Sequence, residues 1–393
     1  MPEPQVPTVA LQLDAVLCAA RARATQTDFG DDSFIAPLQA LLQSLDEEAA
    51  LNAVGRFGQF TRIVELLVNR LHVEHWIERH PDILDEHIAP PVVIVGLMRN
   101  GTTLLHRLMA CDARSYAPLW YETRYPAPLP GYDFQSEDAR IPLAQEEVRQ
   151  MLAASPDLAS IHPLEACAAD EELMLLEHSF YSTVPESFAH LPSYARWLER
   201  HDNTPGYQYL HRLLQFLQWQ KKRRGLHAER WLLKTPHHLH HLDILLRVFP
   251  GATVIQTHRD PLQTIPSLCS MNYALTAMGS DAVDAHQLGR HWCDKFAGSL
   301  QRALAVRAQH TGQFIDVHYA DTASNPLGTV QRIYRQLGLE LDESTRLAMV
   351  QWLKANRRED RDPHHYTLEQ FGFTREGLER QFAEYRRTFL LSA

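Results

Sequence analysis

What this 393-residue sequence lacks narrows it before any motif is found. Its five cysteines, Cys18, Cys111, Cys167, Cys269 and Cys293, are scattered, with no Cys-x-x-Cys pair. They give no disulfide framework and suit a reducing compartment. No apolar run approaches the length of a membrane span. The opening Met1-Pro2-Glu3-Pro4-Gln5-Val6-Pro7 has neither the basic nor the apolar region of a signal peptide, so a cytoplasmic location is expected. Basic residues are outnumbered, 38 Lys and Arg against 48 Asp and Glu, for a net charge of −10. That balance argues against nucleic-acid binding, and an anionic ligand would need positive groups placed locally. No internal repeat or low-complexity tract is visible. With 45% hydrophobic and 22% charged residues, the composition is that of a globular protein able to bury a large core.

Residues 8 to about 80 carry apolar stripes at helical spacing, such as Ile63, Leu66, Leu67 and Leu71. Pro90-Pro91 ends that pattern. Val92-Val93-Ile94-Val95 then reads as a strand buried on both faces, as in a parallel sheet. A turn from Gly96 to Gly101 leads into a helix marked by Leu104, Leu105, Leu108 and Met109. Further strands are expected at 231–233, 253–255 and 314–317. Helices are expected at 239–249, at 262–272 and after the cap Asn325-Pro326. The alternation predicts an α/β fold with a mainly parallel sheet. Residues of about 140–225, rich in Phe180, Tyr181, Phe188, Tyr194 and Trp197, read as a helical insertion.

Gly96-Leu97-Met98-Arg99-Asn100-Gly101-Thr102-Thr103 has the glycine spacing of a phosphate-cradling loop. Backbone N–H groups and the following helix would point at one anion. An ATP-binding loop places Lys after its second glycine; here that residue is Thr102, and the charge sits at Arg99. A second cluster, His258-Arg259-Asp260-Pro261 with Ser267 eight residues beyond Arg259, can grip a phosphate between guanidinium and hydroxyl.

The run Arg99-Asn100-Gly101-Thr102-Thr103-Leu104 resembles the Lys/Arg-Ser-Gly-Thr-Thr signature of sulfotransferases that use PAPS (3′-phosphoadenosine-5′-phosphosulfate). Asn100 replaces the usual Ser and Met98 the usual Pro. The resemblance implies that this loop binds the donor's 5′-phosphosulfate and that Arg259 and Ser267 bind its 3′-phosphate. Lys234-Thr235-Pro236 is similar to a segment that places a lysine near the transferring group. His318-Tyr319-Ala320-Asp321 is similar to one whose tyrosine, here Tyr319, lies by the adenine. The tail Tyr366 to Gly372 resembles the bacterial branch. The likeness covers about 90–393 and implies a P-loop-like parallel sheet flanked by helices. Residues 1–89 would form a helical segment packed on that domain, and the insertion would cover the acceptor site.

Transfer needs cations at the leaving phosphate, for which Arg99 and Lys234 are the candidates, and no metal is required. The acceptor needs a base. Glu122, in Tyr121-Glu122-Thr123-Arg124, resembles the Glu-Thr-Arg of tyrosylprotein sulfotransferases, whose glutamate is the base. His237 is the second candidate, one residue beyond the histidine position of the small-molecule enzymes, which Pro236 occupies here. His237 and His241 share a helix face but find no third ligand of recognisable spacing, so no metal is expected. Lys221-Lys222-Arg223-Arg224 reads as a solvated helix end. The expected reaction moves a sulfuryl group to a hydroxyl or amine of a small-molecule or lipid-like acceptor, with self-association into a homo-oligomer left open. A nucleotide kinase on the same sheet, or a non-catalytic nucleotide-binding protein, are the alternatives.

Overall fold

The computed structural model describes residues 6–154, 164–356 and 366–391. Five parallel strands form one sheet: β1 (Val92–Gly96), β2 (Ser115–Tyr116), β3 (Arg230–Lys234), β4 (Thr253–His258) and β5 (Phe314–His318), in the order β2-β3-β1-β4-β5. β1 is buried along its whole length because helices cover both faces. Val93 and Val95 point into one apolar cluster with Leu210, Leu233 and Phe296. Val92 and Ile94 point into another with Leu105, Leu108, Ile255 and Val330. The continuous β-branched run read from the sequence is the signature of that two-sided burial. Two-residue β2 at the edge was not anticipated, being too short to leave a pattern.

The strand order places β1 between β3 and β4. In open parallel sheets ligands bind beyond the carboxyl ends of the strands, where the order of connection reverses. Register then fixes which residues flank the loop after β1. Ile94 lies beside Lys234, Gly96 beside Thr257, and His258 beside His318. Arg259 and Tyr319 are therefore brought together by being the next residue on neighbouring strands.

Helix starts follow sequence cues. Asp260 accepts from the Leu262 N–H, with Pro261 at the first helical position, to open the Pro261–Ala277 helix. Asn325 caps Pro326–Gln336 by accepting from the Gly328 N–H at 3.0 Å. The single helix expected over 239–249 is instead a 3₁₀ turn, Pro236–His240, followed by Leu242–Val248. Thr235 caps that turn, in which His237, His238 and His240 are buried. The long helix Ala285–Gln309 was not foreseen.

Residues 6–89 are mainly helical (Leu13–Ala24, Ile35–Glu47, Ala53–Arg79), and 140–225 contributes Arg140–Ala154, Leu173–Glu177, Val184–Phe188, Pro192–Arg200 and Thr204–Arg223. Phe180, Tyr181 and Tyr194 join the N-terminal helices in a shared apolar cluster. These aromatics, expected to line an acceptor site, are core instead: Phe180 is 1% and Tyr194 0% exposed. Among the described residues no helix is long and apolar enough to cross a membrane.

Candidate active site

The loop between β1 and the helix Thr102–Met109 is shaped by two left-handed residues, Arg99 (φ 65°) and Gly101 (φ 73°). A side chain at Gly101 would meet the Tyr319 ring at 2.8 Å, so glycine is needed for space as well as for φ. Arg99 pays the cost of a non-glycine in that region, a strain that marks functional turns. Gly96 is equally constrained, since a Cβ there would lie 2.1 Å from Thr257 Oγ1. Asn100 turns inward. Its Nδ2 donates to the Thr257 carbonyl at 2.7 Å and to Thr257 Oγ1 at 3.1 Å, tying the loop to β4. The Asn100 amide thus serves the scaffold. Gly101 to Leu104 remain partly exposed while Leu105 to Met109 are buried, so the helix opens to solvent only at its positive N-terminal end.

Two cationic groups from different strands reach this loop. Lys234, at the end of β3, is 1% exposed and its Nζ donates to Thr103 Oγ1 at 3.3 Å and to Glu171 Oε1. From the other side, Arg259 Nη1 donates to the Arg99 carbonyl at 2.6 Å, and Arg99 Nε donates to Ser267 Oγ at 3.3 Å. The Arg259 guanidinium also stacks over the Tyr319 ring, 4.1 Å from its centroid. Lys234, Arg259, Ser267 and Tyr319 thus all meet the loop, through Thr103, the Arg99 carbonyl, the Arg99 side chain and Gly101 respectively. That set consists of guanidinium, ammonium, hydroxyls and backbone amides around an aromatic ring. It suits a polyanion carrying a flat base.

A sequence profile of the Sulfotransferase family matches residues 90–343. The chain belongs to the sulfotransferase family. The omega-hydroxy-beta-dihydromenaquinone-9 sulfotransferase Stf3 of Mycobacterium tuberculosis (strain CDC 1551 / Oshkosh) is 28% identical over 298 residues, which cover 72% of this chain and 71% of that protein. Among solved structures, the sulfotransferase STF1 from M. tuberculosis H37Rv aligns with TM-score 0.84 at 32% identity, covering 96% of this chain and 99% of the other. STF9 from Mycobacterium avium aligns with TM-score 0.88 at 26% identity, covering 98% of each. This protein is therefore a sulfotransferase on an α/β scaffold of a central parallel sheet with flanking helices.

The two base candidates of this sulfotransferase fare differently from the donor residues. Glu122 is buried in the short helix Trp120–Arg124, and both its oxygens accept from Lys221 Nζ, at 2.6 and 2.7 Å. Its Oε2 also accepts from the Leu119 N–H at 2.9 Å. Lys221 lies 5.9 Å from the Trp231 ring, three residues before Lys234 on β3, or about 10 Å back along the strand. Among the described residues, none of the hydrogen bonds of Glu122 reaches the loop. In the basic run 221–224, Lys222 and Arg223 are exposed at the helix end as expected, whereas Lys221 is buried. Lys221 is buried against Glu122, Lys222 pairs with Glu86, Arg223 with Asp82, and Arg224 with Tyr121 and Asp138.

His237 is 1% exposed, with Nδ1 3.2 Å from Thr183 Oγ1 and no hydrogen-bond partner for Nε2. Burial, and then the neighbouring His241, His238 and Lys295, hold its pKa well below the usual histidine value, so its ring is neutral at pH 7. The other histidines of the run are occupied separately. His238 bridges Tyr207 and Glu172, each at 2.8 Å, and His240 pairs with Ser299. Among the described residues no group of three His, Cys, Asp or Glu side chains is arranged to hold a metal ion.

The residue that sequence reasoning missed is Glu171, the carboxylate in contact with Lys234. Its neighbour Glu172 is fully buried, accepts from the Lys234 N–H at 2.7 Å, and anchors the strand end whose side chain Glu171 meets. The acidic triplet Asp170-Glu171-Glu172 ahead of an apolar run was the available signal.

Proposed function

We propose that this sulfotransferase takes its sulfuryl group from PAPS and delivers it to the hydroxyl of an apolar, lipid-like alcohol or phenol. The observation that carries the donor assignment is the junction of two distant segments, Arg259 on the Arg99 carbonyl and Arg99 on Ser267. It supports a loop that holds the 5′-phosphosulfate on backbone amides and Thr102 and Thr103, with Arg259 and Ser267 on the 3′-phosphate and Tyr319 against adenine. The five cysteines are all free, which accords with a reducing cytoplasm.

In the proposed transfer, the bond between sulfur and the bridging phosphate oxygen breaks as a bond from sulfur to the acceptor oxygen forms. Lys234 and Arg99 neutralise the charge that develops on the leaving phosphate. Glu171 takes the acceptor's proton. It is the carboxylate in contact with Lys234 and keeps its side chain 19% exposed, whereas Glu122 is enclosed with Lys221. PAP, the nucleotide bisphosphate, leaves. No step calls for a metal.

An apolar acceptor is supported from two sides. A relative is named for a menaquinone derivative with an omega-hydroxyl. On the Pro261–Ala277 helix, Ser267, Met271 and Leu275 recur every fourth residue and so share one face, running from the donor side toward exposed Met278.

The test is thermal stability with PAP and no divalent ion. Binding at ~100 times the dissociation constant adds about 2.7 kcal/mol to a state that alone binds it. A rise with PAP is expected. A rise with ATP and Mg²⁺ but none with PAP would overturn the reading in favour of a kinase.

A further inference from the structure

Arg259 sits between the end of β4 and the start of the Pro261–Ala277 helix, where the backbone alone fixes little of a long side chain. Its two flanking residues are clamped by consecutive residues of one distant element, the C-terminal helix Ala383–Phe389. On one side, His258 Nδ1 lies 3.0 Å from Tyr385 Oη, across 127 residues of sequence, and the His258 ring stacks on Phe389 at 4.1 Å. On the other, Arg386 Nη2 donates to Asp260 Oδ2 at 3.1 Å. His258 Nε2 meets Asp316 Oδ1 at 2.8 Å, and Asp316 accepts in turn from Arg307 at 2.8 Å. With Nε2–H donating to that carboxylate, Nδ1 is left to accept from the tyrosine hydroxyl. Asp260 simultaneously caps the helix that carries Ser267, so Arg386 steadies both halves of the Arg259/Ser267 pair.

We propose that the C-terminal helix, through Tyr385 and Arg386, positions Arg259 and thereby sets the enzyme's preference for nucleotides bearing a 3′-phosphate. The proposal rests on the PAPS reading above. A guanidinium fork delivers its hydrogen bonds only when held to within about half an ångström, and such precision comes from the groups behind it. Arg259 itself is oriented by the Arg99 carbonyl, by Gln263 Oε1 at 3.2 Å and by the Tyr319 ring. Those contacts set the side chain, while Tyr385 and Arg386 set the backbone from which it springs. Tyr385 also belongs to the main apolar core, as do Leu378 and Phe382 of the preceding segment, so a purely structural role is the alternative.

A structural role and a positioning role separate in one ratio. PAP and AMP share adenine and 5′-phosphate and differ at the 3′-phosphate. Dissociation constants for both are measured by isothermal titration on the full chain, for wild type, Tyr385→Phe, Arg386→Ala, Arg386→Lys and Arg259→Ala. Tyr385→Phe keeps the core ring and removes only the hydroxyl; Arg386 is partly exposed, so its variants stand if the tyrosine variant does not fold. Expected is a PAP affinity lowered roughly tenfold in Tyr385→Phe and Arg386→Ala, the order of one lost hydrogen bond to a charged group, with AMP unchanged. Arg386→Lys should restore part of it. Equal weakening of both nucleotides, or an unchanged ratio while Arg259→Ala collapses it, overturns the positioning role and leaves the 3′-phosphate site standing. A wild-type enzyme that binds PAP no better than AMP overturns the 3′-phosphate site itself, and this inference with it.

Discussion

Replacing Glu171 by Gln tests which group takes the acceptor's proton. The amide is nearly isosteric and keeps a carbonyl oxygen for Lys234 Nζ, which also retains Thr103 Oγ1 at 3.3 Å. Donor binding should therefore survive while the proton acceptor is lost. A positioned base contributes 10²–10⁴-fold, so kcat should fall by about that factor, or roughly 2.7–5.4 kcal/mol of barrier. Glu122→Gln should behave in the opposite way. It removes the carboxylate that accepts twice from buried Lys221, leaving an ammonium facing a neutral amide. Breaking a buried pair on one side costs about 3–5 kcal/mol, so this variant should melt far earlier yet turn over normally while folded. The assay follows PAP release across a panel of long-chain alcohols and phenols, with melting curves on the same samples. A Glu171→Gln enzyme within about threefold of wild-type kcat would refute the assignment, because no general base is worth so little. If His237→Ala then showed the large loss, the neutral imidazole beside Thr183 would be the base.

Two further outcomes follow from the same geometry. Arg259→Ala should weaken PAP binding tenfold or more with little change in kcat, since a 3′-phosphate contact is worth roughly 1.5–3 kcal/mol and lies away from the sulfur; unchanged affinity by titration would remove the residue from the site. Acid should destabilise the fold well above the carboxylate range. Burial first, then nearby Lys234 for His106 and Lys295 for His241, pushes both rings down to about 3, and burial brings His178 to about 4. Below the unfolded value of ~6.5 the unfolded chain binds more protons than the folded one. Stability therefore falls as pH falls, by up to about 1.4 kcal/mol per histidine per pH unit until each folded pKa is reached. Urea denaturation at pH 7.5, 6.5 and 5.5 measures this, and a flat or rising stability on acidification would contradict it.

The loop after β1 and the residues gathered at it were legible because their information is local. Glycines at 96 and 101 state a backbone shape, and a Pro after Asp260 states a helix start. A strand buried on both faces needs only its own four residues to show itself. Even Tyr319, far along the chain, was reachable, since it directly follows a strand whose neighbour ends before Arg259. The acceptor side was not legible in this way. Glu122 and Glu171 are both acidic residues following the loop in the chain, and what separates them is which lysine each one meets. Lys221 is 99 residues beyond Glu122, and Lys234 is 63 beyond Glu171. No spacing rule carries that pairing. The aromatic insertion failed for a related reason: Tyr194 and Phe180 have the same composition whether they face a ligand or the helices of residues 13–79.

Charge shows the same division and bears on how an acidic protein could serve the proposed anionic donor. The densest basic run, Lys221 to Arg224, reads in the sequence as a solvated helix end. Lys222 and Arg223 do stay exposed, but Glu122, Glu86, Asp82 and Asp138 pair with its four cations. Its charge is already spent, and a paired cation attracts a distant anion weakly. Arg259 stands alone in sequence, yet among the described residues its contacts are a carbonyl, an amide oxygen and an aromatic ring, none of which cancels its charge. Lys234 is intermediate, held by a hydroxyl and by a carboxylate that the reaction itself would protonate. In the proposed transfer, a proton on Glu171 would weaken its pull on Lys234 and free the ammonium for the phosphate oxygen as that oxygen gains charge. On that proposal a single pair would couple deprotonation of the acceptor to stabilisation of the leaving group. This coupling is open to test in one double-mutant cycle: Glu171→Gln with Lys234→Met should cost less than the sum of the two single losses in activation free energy. Strict additivity would mean that the two groups act independently.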